Sequence, residues 1–196
     1  VSTGISPVQL IFSDIKTGWI VEGFGIWQTK DGGTSWDKIL PNNEITLGQL
    51  ESQPKIFLPI NNQQGWVGMI NGRVLKTRDD GKSWEIVNLP QNSDVQTLFS
   101  KNETECWAGV GSGGGLFQTI DGGKTWQQVL EDGVKANIGL SSIDFSTDKN
   151  GWAVGMEFAK NVDSPDKPKG VVLKTQDGGK TWSRINLALD EIKFNK

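Results

Sequence analysis

The chain has 196 residues, a net charge of −3, 25 glycines, nine tryptophans, no His, no Tyr and one Cys. That inventory excludes serine–histidine and cysteine–histidine nucleophilic sites, histidine metal sites, zinc-binding cysteine sets and an intrachain disulfide, and no cofactor or metal is expected. Nucleic acid is not expected either, because the basic residues are scattered and only Arg73, Arg78 and Arg184 are arginines. No run approaches the ~20 apolar residues of a membrane helix, so no membrane insertion is expected. No signal peptide is visible, and Val1 in place of an initiating Met suggests a processed or excised form.

Taken in order, the chain writes one unit four times. Strand A is apolar and ends on Phe: LIF to Phe12, KIF to Phe57, TLF to Phe99, SIDF to Phe145. About seven to nine residues later a marker Trp (Trp19, Trp66, Trp107, Trp152) begins strand B. A Gly precedes it in three units. Cys106 stands there in the third, as a small residue filling a turn-to-strand position. Strand C follows (GIWQT, RVLKT, GLFQT, VVLKT), then the turn T-x-D-x-G-x-[ST]-W, then strand D (WDKIL, WEIVNL, WQQVL, WSRINL). Short alternating strands without helical periodicity predict an all-β chain, and a repeat of about 45 residues predicts a β-propeller of four-stranded antiparallel blades.

The expected organisation is one domain over 1–196, with blades near 8–40, 54–89, 95–130 and 141–187. DEIKFNK at 190–196 starts a further strand, with Phe194 in the Phe column. The chain is then either a piece of a larger propeller or an array closed by an extra strand. An open blade edge would invite self-association.

Each turn supplies an Asp to accept backbone N–H bonds and a Gly for a left-handed backbone position. The Trp begins the return strand. Asp31, Gly33, Trp36, Asp79, Gly81, Trp84, Asp121, Gly123, Trp126, Asp177, Gly179 and Trp182 are therefore assigned to the fold, not to a site. Trp27 aligns with Leu75, Phe117 and Leu173 and is assigned to the core.

Function is sought where the copies differ. The fourth unit carries a polar insertion at Glu157 to Gly170, the second is preceded by Pro41 to Pro54, and the third holds GSGGG at Gly111 to Gly115. In an up-and-down blade, B–C and D–A connections share one face, opposite the boxes. Candidate partner-binding residues on that face are Glu44, Glu51, Glu157, Lys160, Asp163, Asp166, Lys167 and Lys169.

T-x-D-G-G-x-T-W with an upstream Phe and GW-[AV]-x-G resembles the Asp-box, or bacterial neuraminidase repeat, propellers. WAVGM followed by VVLKTQDGGKTW is most similar to the photosystem II stability and assembly factor-like family. The resemblance implies a non-enzymatic, extracytoplasmic scaffold (periplasm, thylakoid lumen or secreted) that binds a protein, with membrane-protein assembly intermediates as partners. The family's arginine-lined surface does not carry over to a chain with three arginines. The alternative is a carbohydrate-binding or glycoside hydrolase module. Sialidase chemistry needs a Tyr that is absent. Asp144, placed in the strand A column that reads Ile11, Ile56 and Leu98, is a candidate to pair with Glu157 for the acid–base route, and Lys193 in the same column offers a salt-bridged or channel-facing pair instead.

Overall fold

The computed structural model describes residues 7–42, 45, 53–111, 113–130, 137–158 and 167–185. The described residues form four antiparallel four-stranded sheets, each with its strands in chain order. Blade one is β1 (Pro7–Phe12), β2 (Gly18–Glu22), β3 (Gly25–Thr29) and β4 (Asp37–Leu40). Blade two is β5 (Pro54–Pro59), β6 (Gly65–Met69), β7 (Arg73–Thr77) and β8 (Glu85–Asn88). Blade three is β9 (Val95–Ser100), β10 (Cys106–Val110), β11 (Gly115–Thr119) and β12 (Gln127–Gln128). Blade four is β13 (Ile138–Phe145), β14 (Gly151–Glu157), β15 (Lys169–Thr175) and β16 (Ser183–Ile185). The all-β, four-bladed reading holds. The expected fifth strand at 190–196 lies outside the described residues. No described helix is long and apolar enough to cross a membrane.

Residues opposite one another in an antiparallel pair point to the same side of the sheet, so each blade has two distinct faces. The marker Trp points toward the following blade. The alternate row, beginning at the residue before it, points toward the preceding blade. Both faces are apolar because an inner blade is covered on both sides. Trp19 lies 5.4 Å from Phe57, Trp66 meets Trp126 edge-on at 5.8 Å, and Trp107 lies 4.8 Å from Phe145. The three clusters of buried apolar side chains are these three blade–blade interfaces.

The Phe residues do not form one column. Phe12 and Phe145 pair with Gly18 and Gly151, but Phe57 pairs with Val67 and Phe99 with Trp107. A Cβ on Gly18, Gly65 or Gly151 would lie 2.5–2.7 Å from the Phe ring of its own blade. Cys106 has that Cβ and fills the space itself, fully buried. The one-residue slip therefore turns Phe99 to the other face, where it stacks on Phe145 at 5.0 Å. Trp27 also departs from expectation. Leu75, Phe117 and Leu173 are buried, whereas Trp27 is half-buried, because no described blade covers that side of blade one. Its indole N–H donates to Glu22 at 2.9 Å, and Lys38 sits over the ring.

Polar latches repeat alongside the aromatics. Lys76, only 2% exposed, lies over the Trp66 ring and donates to the Glu103 carbonyl (2.6 Å) and the Gly122 carbonyl (3.3 Å) of blade three. Lys101 lies over Trp107 and donates to the Asp148 (2.7 Å) and Gly178 (3.3 Å) carbonyls of blade four. Where box two has Asp80 instead of that Gly, Gln28 and Lys30 of blade one reach its carboxylate. Burial, then the nearby Arg78 charge, pushes the Lys76 ammonium below its ordinary pKa.

The box Gly is needed twice over. Gly123 has φ +95°, and a Cβ there would stand 2.7 Å from the Trp66 ring of the preceding blade. Gly33 has φ +90°, but the nearest atom to its Cβ would be 3.6 Å away, in Trp36. Gly123→Ala therefore adds overpacking to backbone strain and is expected to cost about 2–5 kcal/mol, against about 1–2 for Gly33→Ala. Urea unfolding of the two variants at low protein concentration measures the difference.

Candidate functional site

The two ends of the blades differ in what they leave unsatisfied. At one end lie the four Asp boxes, and each closes the same hydrogen-bond circuit. In box one, Thr29 Oγ1 donates to Asp31 Oδ1 (2.8 Å) and accepts the Gly33 amide (2.8 Å). Asp31 then accepts the Ser35 amide (2.9 Å) and hydroxyl (2.6 Å). Boxes two, three and four repeat it through Thr77/Asp79/Ser83, Thr119/Asp121/Thr125 and Thr175/Asp177/Thr181. The Trp36 and Trp182 indoles donate back to the Gly33 and Gly179 carbonyls at 3.2 and 3.1 Å.

Bonds to a carboxylate favour its charged form. The Ser35 hydroxyl and amide, with the Thr29 hydroxyl, lower Asp31 to about 2, and Thr181 with Thr175 does the same for Asp177. The Thr125 hydroxyl holds Asp121 lower still. At Asp79 burial pushes upward and is outweighed by the Ser83 hydroxyl and amide. Three of the roughly four lone-pair sites of each carboxylate are thus taken by its own turn.

At the opposite end the B–C and D–A connections bond to each other, which places them on one rim. The Leu89 amide donates to Gly72, the Gly111 amide to Asp94, and the Phe158 amide to Asn137, at 2.8, 2.8 and 3.0 Å. Lys55 pairs with Asp94 at 3.1 Å across blades two and three. Between blades three and four a cleft of about 190 Å³ opens, lined by Gln96, Gly111, Leu140, Ser141, Met156 and Phe158 among others.

The candidate residues distribute unevenly over that rim. Lys167 and Lys169 are exposed beside it. The expected insertion is shorter than Glu157 to Gly170, because the β14–β15 ladder runs on through Met156↔Gly170 to Glu157↔Lys169. Glu157 is thus a strand residue, and Arg184 donates to both its oxygens at 2.7 and 3.2 Å. Glu44, Glu51, Lys160, Asp163 and Asp166 lie outside the described residues. Sequence reasoning missed Gln96, Met156, Phe158 and Arg184. Only Arg184 carried a signal, as an arginine in a strand D position that holds Lys38, Ile86 and Gln128 elsewhere.

Asp144 is not in the column assigned to it. It faces Trp152, and the equivalent residues are Ile11, Leu58 and Phe99. Asp144 is exposed on the face toward a following blade, and Lys193 lies outside the described residues. Its register partner Trp152 and Glu157 are five residues apart on β14, roughly 17 Å at strand rise and on opposite faces. Paired-carboxylate glycosidases need about 5–9.5 Å. The two do not form such a pair. Cys106 is buried, and burial pushes its thiol well above the ordinary range, away from thiolate chemistry.

Comparison with known proteins agrees with this architecture. The family model described as Sortilin-Vps10 (Sortilin, neurotensin receptor 3) matches residues 72–196. The photosystem II assembly lipoprotein Ycf48 of Synechococcus sp. (strain CC9902) is 26% identical over 139 residues, 68% of this chain and 40% of that protein. A solved structure of YCF48 bound to D1 peptide superposes with a TM-score of 0.57 at 16% identity, over 98% of this chain and 85% of that one. An ancestral GH74 enzyme gives a TM-score of 0.67 at 15% identity, over 91% of this chain and 25% of that one. The chain spans about half the length of the curated Ycf48 relatives it matches.

The box carboxylates make stability depend on acid. Their folded pKa values lie below the unfolded value of about 3.9, so their contribution is complete above it and is lost as pH falls from about 4 through about 2. Denaturant unfolding across that range is expected to show a steep acid limb. Asp177→Asn, less stable at neutral pH, should show a shallower limb, short of one carboxylate's proton uptake.

Proposed function

Because the chain belongs to the Sortilin-Vps10 family of Asp-box propellers, we propose that it is a non-catalytic scaffold that binds a protein partner through its loop-bearing rim. The observation that carries this reading is the division of labour between the two blade ends. The boxes are closed hydrogen-bond circuits repeated without change, whereas the opposite rim differs in every blade and opens the cleft between blades three and four. Exposed Lys167 and Lys169 border that rim, and an exposed charge at an interface edge steers an oppositely charged partner. Peptide binding by a relative, named in the YCF48–D1 peptide structure, supports a peptide segment of a membrane protein under assembly as the partner. The lipoprotein designation of the Synechococcus relative supports an extracytoplasmic location.

Xyloglucanase likeness gives the second reading a specific basis, since a Paenibacillus xyloglucanase is 22% identical over 174 residues. One experiment separates the two. A fluorescent D1 peptide and a xyloglucan oligosaccharide are each titrated with the chain, and hydrolysis of the oligosaccharide is followed. Peptide binding should weaken several-fold in Lys167→Glu/Lys169→Glu and stay unchanged in the box-end variant Lys124→Glu/Lys180→Glu. Sugar turnover, or loss of peptide binding only in the box-end variant, would contradict the proposal.

A further inference from the structure

Each blade–blade interface has two halves. The accepting half is a marker Trp with the residue two positions on and a cationic latch. The donating half is a strand A apolar row, an A–B turn and an Asp box. Between blades three and four, Trp107 receives Phe145 and Gly179, and Gly109 approaches Ile143. Lys101 reaches the Asp148 and Gly178 carbonyls. Boxes three and four are engaged in this way, and box two lies against blade one through Ile39 on Gly81 and through Gln28 and Lys30 on Asp80, which leaves box one.

Both ends of the described array keep an unused half. On blade four, Trp152, Val154 and Met156 point to the same side and are 36%, 39% and 43% exposed. Lys174 occupies the position of Lys76 and lies 5.9 Å above the Trp152 ring, as Lys76 does above Trp66 at 4.4 Å. Its Nζ has no hydrogen bond among the described residues. On blade one, Val8, Leu10 and Phe12 are 62%, 62% and 44% exposed. Phe12 meets Trp36 edge-on at 6.2 Å, the arrangement Phe145 and Trp182 adopt at 5.7 Å inside the occupied interface. The Gly32 amide bonds to Lys16 as Gly178 bonds to Lys149, so the Ile15 and Gly32 carbonyls match the two that Lys101 engages. The donating half of blade one is already assembled.

We propose that two copies of the chain associate head to tail, with Trp152, Val154 and Lys174 of one copy receiving Phe12, Leu10 and the first Asp box of the other. A box suits the blade four face best, because Trp152 can seat a box Gly as Trp66 and Trp107 do, and Lys174 can reach two turn carbonyls as Lys76 and Lys101 do. A strand alone supplies neither. The only box without a preceding blade on it among the four is box one. A heterologous contact of this kind uses different patches on the two copies and closes into a ring when both ends meet. The two faces are distinct from the partner-binding rim, with Met156 at the border of the blade four face and the rim cleft.

Sedimentation equilibrium from low to high micromolar tests it. The wild-type chain should show mass beyond the monomer, and Trp152→Glu and Leu10→Glu should each be monomeric alone. Mixed one to one, they should form a heterodimer, because the first keeps an intact box end and the second an intact Trp152 face. Near- and far-ultraviolet circular dichroism checks that both variants stay folded. A monomeric wild type at the highest concentration would overturn the proposal, whether or not its own C-terminal residues cover Trp152. Association that survives both substitutions, or variants that fail to complement, would overturn it equally.

Discussion

A tryptophan ring on one blade lies where the next blade's box can carry no side chain. That mutual fit of Trp66 with Gly123, and of Trp107 with Gly179, is the constraint on which the rest of the array depends. Burying an indole removes 150–250 Å² from water, an upper estimate of about 4–6 kcal/mol at ~25 cal/mol per Å². A surface ion pair such as Arg78 with Glu85 contributes about 0–1 kcal/mol. The order of blades is therefore held by aromatic–glycine packing, with Lys76 and Lys101 bonded to turn carbonyls of the next blade.

The Asp boxes acquire two roles from this arrangement. Within a blade, Asp and Thr close the turn between strands C and D. Between blades, the Gly and the preceding carbonyl form the surface on which the earlier blade's Trp and cation settle. The substitution of Asp80 for Gly in box two shows how the second role tolerates change. A carboxylate replaces the carbonyl as acceptor, and Gln28 with Lys30 replaces the single Lys.

Most of the blade design was legible because repetition separates framework from accident. Four copies of one turn fix its role, and the alternation of short strands fixes which element follows. Register was not legible. Nothing in KIF or TLF distinguishes a Phe facing Gly from one shifted along the strand, as Phe57 and Phe99 are. The same limit misplaced Asp144, whose neighbours in space follow the hairpin length rather than the Phe. Glu157 falls in the polar insertion by sequence, yet the ladder extends to it through its pairing with Lys169. Trp27 was assigned to the core by its column, and only the absence of a described blade beside it leaves it half-buried. The cleft residues Gln96, Met156 and Phe158 come from three separate stretches, and no spacing in the chain joins them.

The rim and the array ends follow from the same rule: surface that the repeat does not consume is available for binding. If blade order rests on the ring of Trp66 filling the space above Gly123, the two positions must be energetically coupled. The direct measurement is a double-mutant cycle of Gly123→Ala with Trp66→Leu, read by urea unfolding. Removing the ring atoms that a Cβ would strike should make Gly123→Ala markedly less costly in the Trp66→Leu background, leaving only the strain of its positive φ. Strictly additive effects of the two substitutions would contradict the interlock.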